Sequence, residues 1–243
     1  HVGAGENMGC YRRIDRALEH ALHLPLGTGS RYVVISDCHR GEGTTNDNFL
    51  KNAYLYEAAM EHYIKRGFFY LELGDGEELW ESRCMDRIVH YHEIVYEMFA
   101  CLQSRNALCR IYGNHNMELR KILPEAIILD NCEGGRDVCM IHGHQADFFN
   151  SVCWRLSSYV WKPLERSGVN DPTSAARNYK KAVRYEQCLA GWTRLHDRYL
   201  IAGHSHRPRL PENGELYLNA GSCVHPGCIT AIELEQMQMT LVK

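Results

Sequence analysis

The sequence predicts an α/β sandwich, with helices packed outside sheets, on two observations. Short β-branched runs alternate with helical patterns through the first half, and the chain closes on a mixed set of strand-like segments. With 243 residues, 45% of them hydrophobic and 23% charged, it has the material for one sizeable core. A single domain over 1–243 is expected, with a helical insertion, or lid, at about 146–197.

The elements follow in order. Tyr11, Ile14, Leu18 and Leu22 recur at helical spacing and predict an opening helix. After Gly27 and Gly29, the run Tyr32-Val33-Val34-Ile35 reads as a buried strand ending at Ser36-Asp37-Cys38-His39. A helical pattern over 48–66 is closed by Gly67, a residue suited to a left-handed helix stop. The strand 68–73 then runs into Gly74-Asp75-Gly76. One helix is expected over 86–104, a strand over 107–112 leading to Gly113-Asn114-His115, and strands at 126–129 and 138–141 around the turn Glu133-Gly134-Gly135. Positions 146–197 read as helical, broken near 168–172. Strand character returns at 199–202, 215–218, 229–234 and 237–242.

A formal charge of −3, with 14 histidines counted as neutral, argues against a stable nucleic-acid complex. No segment has the length of a transmembrane helix, and the first residues lack the apolar run of a secretory signal. Eleven cysteines, odd in number and scattered, read as buried hydrophobes in a reducing compartment rather than as a disulfide framework. A cytoplasmic location, at most peripheral to the membrane, is the expectation.

The informative feature is where polar residues fall. Asp37 and His39, Asp75, Asn114 and His115, His142, and the group Gly203-His204-Ser205-His206 each follow a predicted strand. In α/β folds the carboxyl ends of strands converge on one crevice. The candidate ligands Asp37, His39, Asp75, Asn114, His142, His204 and His206 form an oxygen and nitrogen set without thiolates, suited to Mn, Fe, Zn or Ni. Seven donors exceed one tetrahedral site but fit two divalent ions sharing a bridging carboxylate, about 3.5–4 Å apart in such centres. Manganese is the first expectation, with iron or zinc next.

In chain order, Asp-x-His at 37–39, Gly-Asp at 74–75, Gly-Asn-His at 113–115, His-Gly-His at 142–144 and Gly-His-Ser-His at 203–206 resemble the five blocks of the calcineurin-like metallophosphoesterases. The resemblance implies a β-sandwich flanked by helices (αββα) and a hydrolase acting on phosphodiester, pyrophosphate or phosphomonoester bonds by metal-activated hydroxide attack. It implies Asp37, His39 and His206 on one metal, Asn114, His142 and His204 on the other, Asp75 as the bridge, and His115 near the leaving-group oxygen as acid.

Two departures stand out. Asn116 occupies a position where many family members have an aspartate orienting the preceding histidine. The stretch Gly74-Asp75-Gly76-Glu77-Glu78-Leu79-Trp80-Glu81 lacks the second aspartate of the phosphoprotein phosphatase pattern. It is similar to the branch of bacterial UDP-2,3-diacylglucosamine pyrophosphatases, which also carries a helical insertion and an Arg-Pro after the last histidine pair, here Arg207-Pro208. A phosphorylated substrate larger than inorganic phosphate, such as a nucleotide or lipid conjugate, is implied. Arg177, Lys180, Lys181 and Arg184 form a basic helical stripe in the insertion, readable as a solvated face or, with Arg207, as contacts to such a substrate. Trp154, Tyr159 and Trp161 read as the insertion's own core. His62, His90 and His92 read as surface or satisfied core histidines, and Cys223 and Cys228 as packing. The segment Asn219-Ala220-Gly221-Ser222 reads as a turn near the site. Two other readings remain open, a phosphoserine/phosphothreonine protein phosphatase and a catalytically weak metal-binding interaction module.

Overall fold

The structure is a computed structural model that describes residues 4–45, 47–82, 84–147, 179–212 and 214–243. Its described elements are α1 (Ala4–Leu18), β1 (Leu22–Leu26), β2 (Arg31–Ile35), α2 (Ala53–Lys65), β3 (Phe69–Leu73), α3 (Met85–Tyr91), α4 (Glu93–Ser104), β4 (Leu108–Ile111), β5 (Ala126–Asn131), β6 (Val138–Ile141), α5 (Tyr179–His196), β7 (Tyr199–Ala202), β8 (Tyr217–Asn219), β9 (Ala231–Glu235) and β10 (Gln238–Val242).

Two five-stranded sheets are formed, in the orders β1-β5-β6-β7-β8 and β10-β9-β2-β3-β4. Strand alternation builds three apolar layers, since successive side chains leave opposite faces. Tyr32, Val34, Leu71, Leu73, Ile127, Leu129, Met140 and Ile201 meet between the sheets. Val33, Ile35 and Tyr70 face α2 and α4 on one outside. Ile128, Cys139, Ile141 and Leu200 face α1 and α5 on the other. This is the expected helix-flanked β-sandwich.

Strands β2, β3 and β4 are mutually parallel, as are β6 and β7. Within each sheet, the segments carrying the candidate ligands therefore leave at the same strand ends. The other strands close the sandwich and add no ligand block.

Some expectations shift. Leu22 does not extend α1 but starts β1, an edge strand containing Pro25 that pairs only with β5. Proline lacks the N–H that a central strand must donate, so an edge suits it. The helix expected over 86–104 is two helices that part at His92, whose ring turns inward to Asp47 (2.8 Å) and stacks edge-on against Phe49. It is a satisfied core histidine, while His62 and His90 are exposed. Cys10 and Cys188 are joined as a disulfide that ties α1 to α5, a correction to the reading of scattered free thiols. A reducing compartment would hold such a pair as thiols. Cys223 is buried and free, and Cys228 is partly buried and free. Of the proposed insertion, α5 is described. The residues Trp154, Tyr159, Trp161 and Arg177 lie outside the described residues. Among the described residues, no helix is long and apolar enough to cross a membrane.

Leu71→Ala, which hollows the layer between the sheets, is expected to lower the unfolding free energy by about 2–5 kcal/mol. Tyr54→Ala, at a position 85% exposed, should stay within about 0.5 kcal/mol. Urea denaturation of both variants checks this, and equal losses would contradict the layering.

Candidate metal centre

Each candidate ligand is placed by the strand before it and by a tight backbone turn. Asp37, His39, Asp75, His204 and His206 all adopt positive φ, between 50° and 65°. For residues with a Cβ this left-handed region is unfavourable, at about 1–3 kcal/mol each, and such residues cluster at functional sites. The turns are locked from outside. Asp37 N–H donates to Gly74 O (3.2 Å) and His39 N–H to Asp75 O (2.8 Å), lacing the first two blocks together. Gly74 has φ +83°, and a Cβ there would lie 2.8 Å from the His142 ring. Glycine is what lets the two sheets close on that histidine.

Three groups of donor atoms result, each with its atoms within 4.8 Å of one another: Asp37, His39 and His206; Asp75, His142 and His204; and His39, Asp75 and His115. His206 Nε2 lies 3.1 Å from Asp37 Oδ1, and His142 Nε2 lies 3.0 Å from Asp75 Oδ2. His39 Nε2 stands 3.8 Å from both carboxylates. Asn114 Oδ1 is 3.2 Å from His142 Nε2. The seven expected ligands thus meet at one place.

The donor set fits a metal. Asp37 Oδ1 and His204 Nε2 are buried without a hydrogen-bond partner, although Asp37 Oδ1 has the ionic contact with His206 and His204 Nε2 lies 3.8 Å from Asp147 Oδ2. Buried polar atoms left unmade are costly, and inward-facing ones are natural ligand positions. The remaining donors are turned inward by their other atoms. His142 Nδ1 contacts Leu73 O at 2.7 Å, a donor bond that orients the ring with Nε2 toward Asp75. Asp37 Oδ2 accepts from Ser36 Oγ (2.5 Å) and His204 N–H (2.9 Å).

Burial works against ionising the two aspartates, but nearby histidines more than offset it. Asp37, with His206 and His142 beside it, is held well below the usual carboxylate range, and Asp75 is lowered chiefly by His142 and His115. Both stay anionic at neutral pH, as ligands must. His144, the second histidine of its block, is not part of the cluster. Burial and its neighbours His142 and His204 push it well below its ordinary value, so it is neutral.

Glu78 is the residue that sequence reading missed. Its carboxylate meets His115 Nδ1 at 2.8 and 3.0 Å and His39 Nδ1 at 2.7 Å, so one buried group orients both rings. It stands three residues after Asp75, in the stretch noted for lacking a second aspartate. Asn219 is also placed as a support, donating to Gly203 O (2.8 Å) and Ser205 Oγ (3.1 Å) in the loop that carries His204.

The expected substrate contacts are more dispersed. Arg207 is half-buried beside His206, and Arg184 is exposed on α5. Lys180 and Lys181 lie in the first turn of α5, their side chains outside the described set.

Fold and site together define an α/β sandwich whose buried Asp/His cluster can bind divalent metal. The chain belongs to the calcineurin-like phosphoesterase superfamily, whose domain model matches residues 31–235. Comparison with curated proteins gave no match.

Burial opposes protonation of His115, but Glu78 and Asp75 outweigh it and raise its pKa to about 9. In metal-free protein this pairing stabilises the fold fully below the ordinary histidine value of about 6.5 and is lost as pH rises through about 9. NMR titration of metal-free protein is expected to find the His115 imidazole titrating near that raised value and to move it downward in Glu78→Gln. An unmoved midpoint would break the pairing.

Proposed function

We propose that the protein is a dinuclear metal-dependent phosphoesterase that hydrolyses a phosphodiester, pyrophosphate or phosphomonoester bond. The observation that carries this reading is the pair of donor groups at the strand ends, one around Asp37 and one around Asp75, with His39 between the two carboxylates at 3.8 Å from each. In this reading Asp37, His39 and His206 hold one ion, Asn114, His142 and His204 hold the other, and Asp75 serves both. Manganese is the first candidate, with iron or zinc next, because the donors are carboxylate, amide and imidazole. When bound, the ions supply Lewis acidity and an activated water for attack on phosphorus.

The chain's own groups do the rest. His115 is mostly buried at the edge of the cluster, its side chain 27% exposed, and is kept protonated at neutral pH by Glu78. In this proposal it donates a proton from Nε2 to the leaving-group oxygen while Nδ1 stays on the carboxylate. Trp80 lies against the His115 ring, with centroids 5.5 Å apart. Arg207 and the basic residues Arg177, Lys180, Lys181 and Arg184 are proposed to meet the remaining phosphates or headgroup of a substrate larger than inorganic phosphate, under the 146–197 insertion of a single domain. The resemblance to the UDP-2,3-diacylglucosamine pyrophosphatase branch favours a nucleotide or lipid conjugate as substrate; for the cytoplasmic location also proposed, Cys10 and Cys188 would be thiols.

Metal stripping followed by Mn²⁺ reconstitution should restore hydrolysis of one or more members of a panel of phosphomonoesters, phosphodiesters and nucleoside-diphosphate conjugates. Loss of partners that merely orient ligands costs about 10–100-fold, so Asp75→Asn should cost more than about 100-fold. Retained hydrolysis of a generic aryl phosphodiester in Asp75→Asn would sink the proposal. Preference for phosphopeptides would turn it toward a protein phosphatase, and metal binding without turnover toward an interaction module.

A further inference from the structure

Behind the ligand loops, on the helix side of the β2-β3-β4 sheet, three buried charges, Arg40, Glu72 and Glu77, meet a fourth, Arg110, that is partly buried. Arg40 follows ligand His39, Glu72 lies on β3, Glu77 follows Asp75 and Arg110 lies on β4. Arg40 pairs with Glu72 through both terminal nitrogens (2.9 and 2.8 Å), and Arg110 Nε donates to the same carboxylate (2.8 Å). Glu77 Oε1 receives Arg40 (3.3 Å), Arg110 and Tyr96 (2.8 Å). Two cations balance two anions; Tyr70 OH donates to Glu72 (3.1 Å), and both guanidinium groups lie over the Phe99 ring. A buried network of this kind is stabilised by the bonds its members make; Arg40 makes them through its two terminal nitrogens, while its buried Nε has no hydrogen-bond partner.

Its remaining acceptor, Glu77 Oε2, is taken by Asn116 Nδ2 (3.1 Å). Asn116 is fully buried, and its Oδ1 accepts the Gly113 N–H (2.6 Å), closing the turn that carries Asn114 and His115. The same turn is pinned on its other side by His115 N–H donating to Asp75 Oδ1 (2.8 Å). The side chain at 116 must therefore donate to a carboxylate and accept from a backbone amide at once. An amide does both. An aspartate accepts only, and it would set a second carboxylate against Glu77 in a dry site.

We propose that Asn116 is a positioning residue that couples the Arg40–Glu72–Arg110–Glu77 set to the turn carrying Asn114 and His115. It is not a weakened partner of His115, because Glu78 already fills that position. The family's aspartate is incompatible with Glu77 here, so Asn116 and Glu77 form a matched pair.

The metal-affinity arm of the test rests on the dinuclear reading, while the exchange arm does not. Mn²⁺ binding by calorimetry and backbone amide exchange of the metal-free protein by NMR are to be compared in wild type, Asn116→Asp, and Asn116→Asp with Glu77→Gln. The double variant reverses the direction of the bond and keeps the net charge. Asn116→Asp is expected to weaken Mn²⁺ binding about 10–100-fold and to speed exchange of the His115 amide by a similar factor, with most of both losses recovered in the double variant. If Asn116→Asp does not fold, recovery of folding in the double variant supports the pair and continued failure overturns it. Unchanged or tighter binding with unchanged exchange in Asn116→Asp overturns it as well. Wild type that binds no Mn²⁺ refutes the dinuclear reading alone, and exchange then decides the pair.

Discussion

Two carboxylates, Asp37 and Asp75, are buried at the ends of adjacent parallel strands with one imidazole, His39, equidistant from both. Isolated, two such charges would not both stay ionised in a dry site. The surrounding structure answers that constraint. The second sheet brings His142 across the sandwich, the loop after its strand β7 brings His204 and His206, and Ser36 Oγ and the N–H groups of His204 and His115 donate to the same carboxylates. The left-handed turns at five of these residues persist because so many contacts fix them.

A second charged layer lies beneath the first and has a different task. Arg40, Glu72, Glu77 and Arg110 compensate one another, so they lend the site no net charge. What they provide is register between three loops, since Arg40 follows the first ligand block, Glu77 follows the second, and Asn116 hangs from the third. Gly76 is small because these groups converge on it, and a Cβ there would come within 2.6 Å of Arg40 and 2.8 Å of Arg110. The site is thus held by sheet geometry from one side and by a polar network from the other.

The strands and ligand blocks were legible in the sequence for one reason. A β-branched run followed at once by Asp-x-His or Gly-Asp marks both a buried strand and the loop at its end, so local pattern and site coincide. Where the deciding partner is far along the chain, local pattern gave no signal. Leu22 continued the helical spacing of α1, and only pairing with β5, over a hundred residues on, makes it a strand residue. Cys10 and Cys188 are 178 residues apart. Glu78 drew no role of its own because its two histidine partners, His39 and His115, arrive from other loops. Asn116 read as a deficiency for the same reason, its meaning depending on Glu77.

The most direct measurement is a crystal structure of the protein grown with Mn²⁺, with anomalous scattering recorded at the manganese edge. Two peaks are predicted about 3.5–4 Å apart, one among Asp37, His39 and His206 and one among Asn114, His142 and His204, with Asp75 between them. A single peak, or peaks away from these residues, would contradict the account.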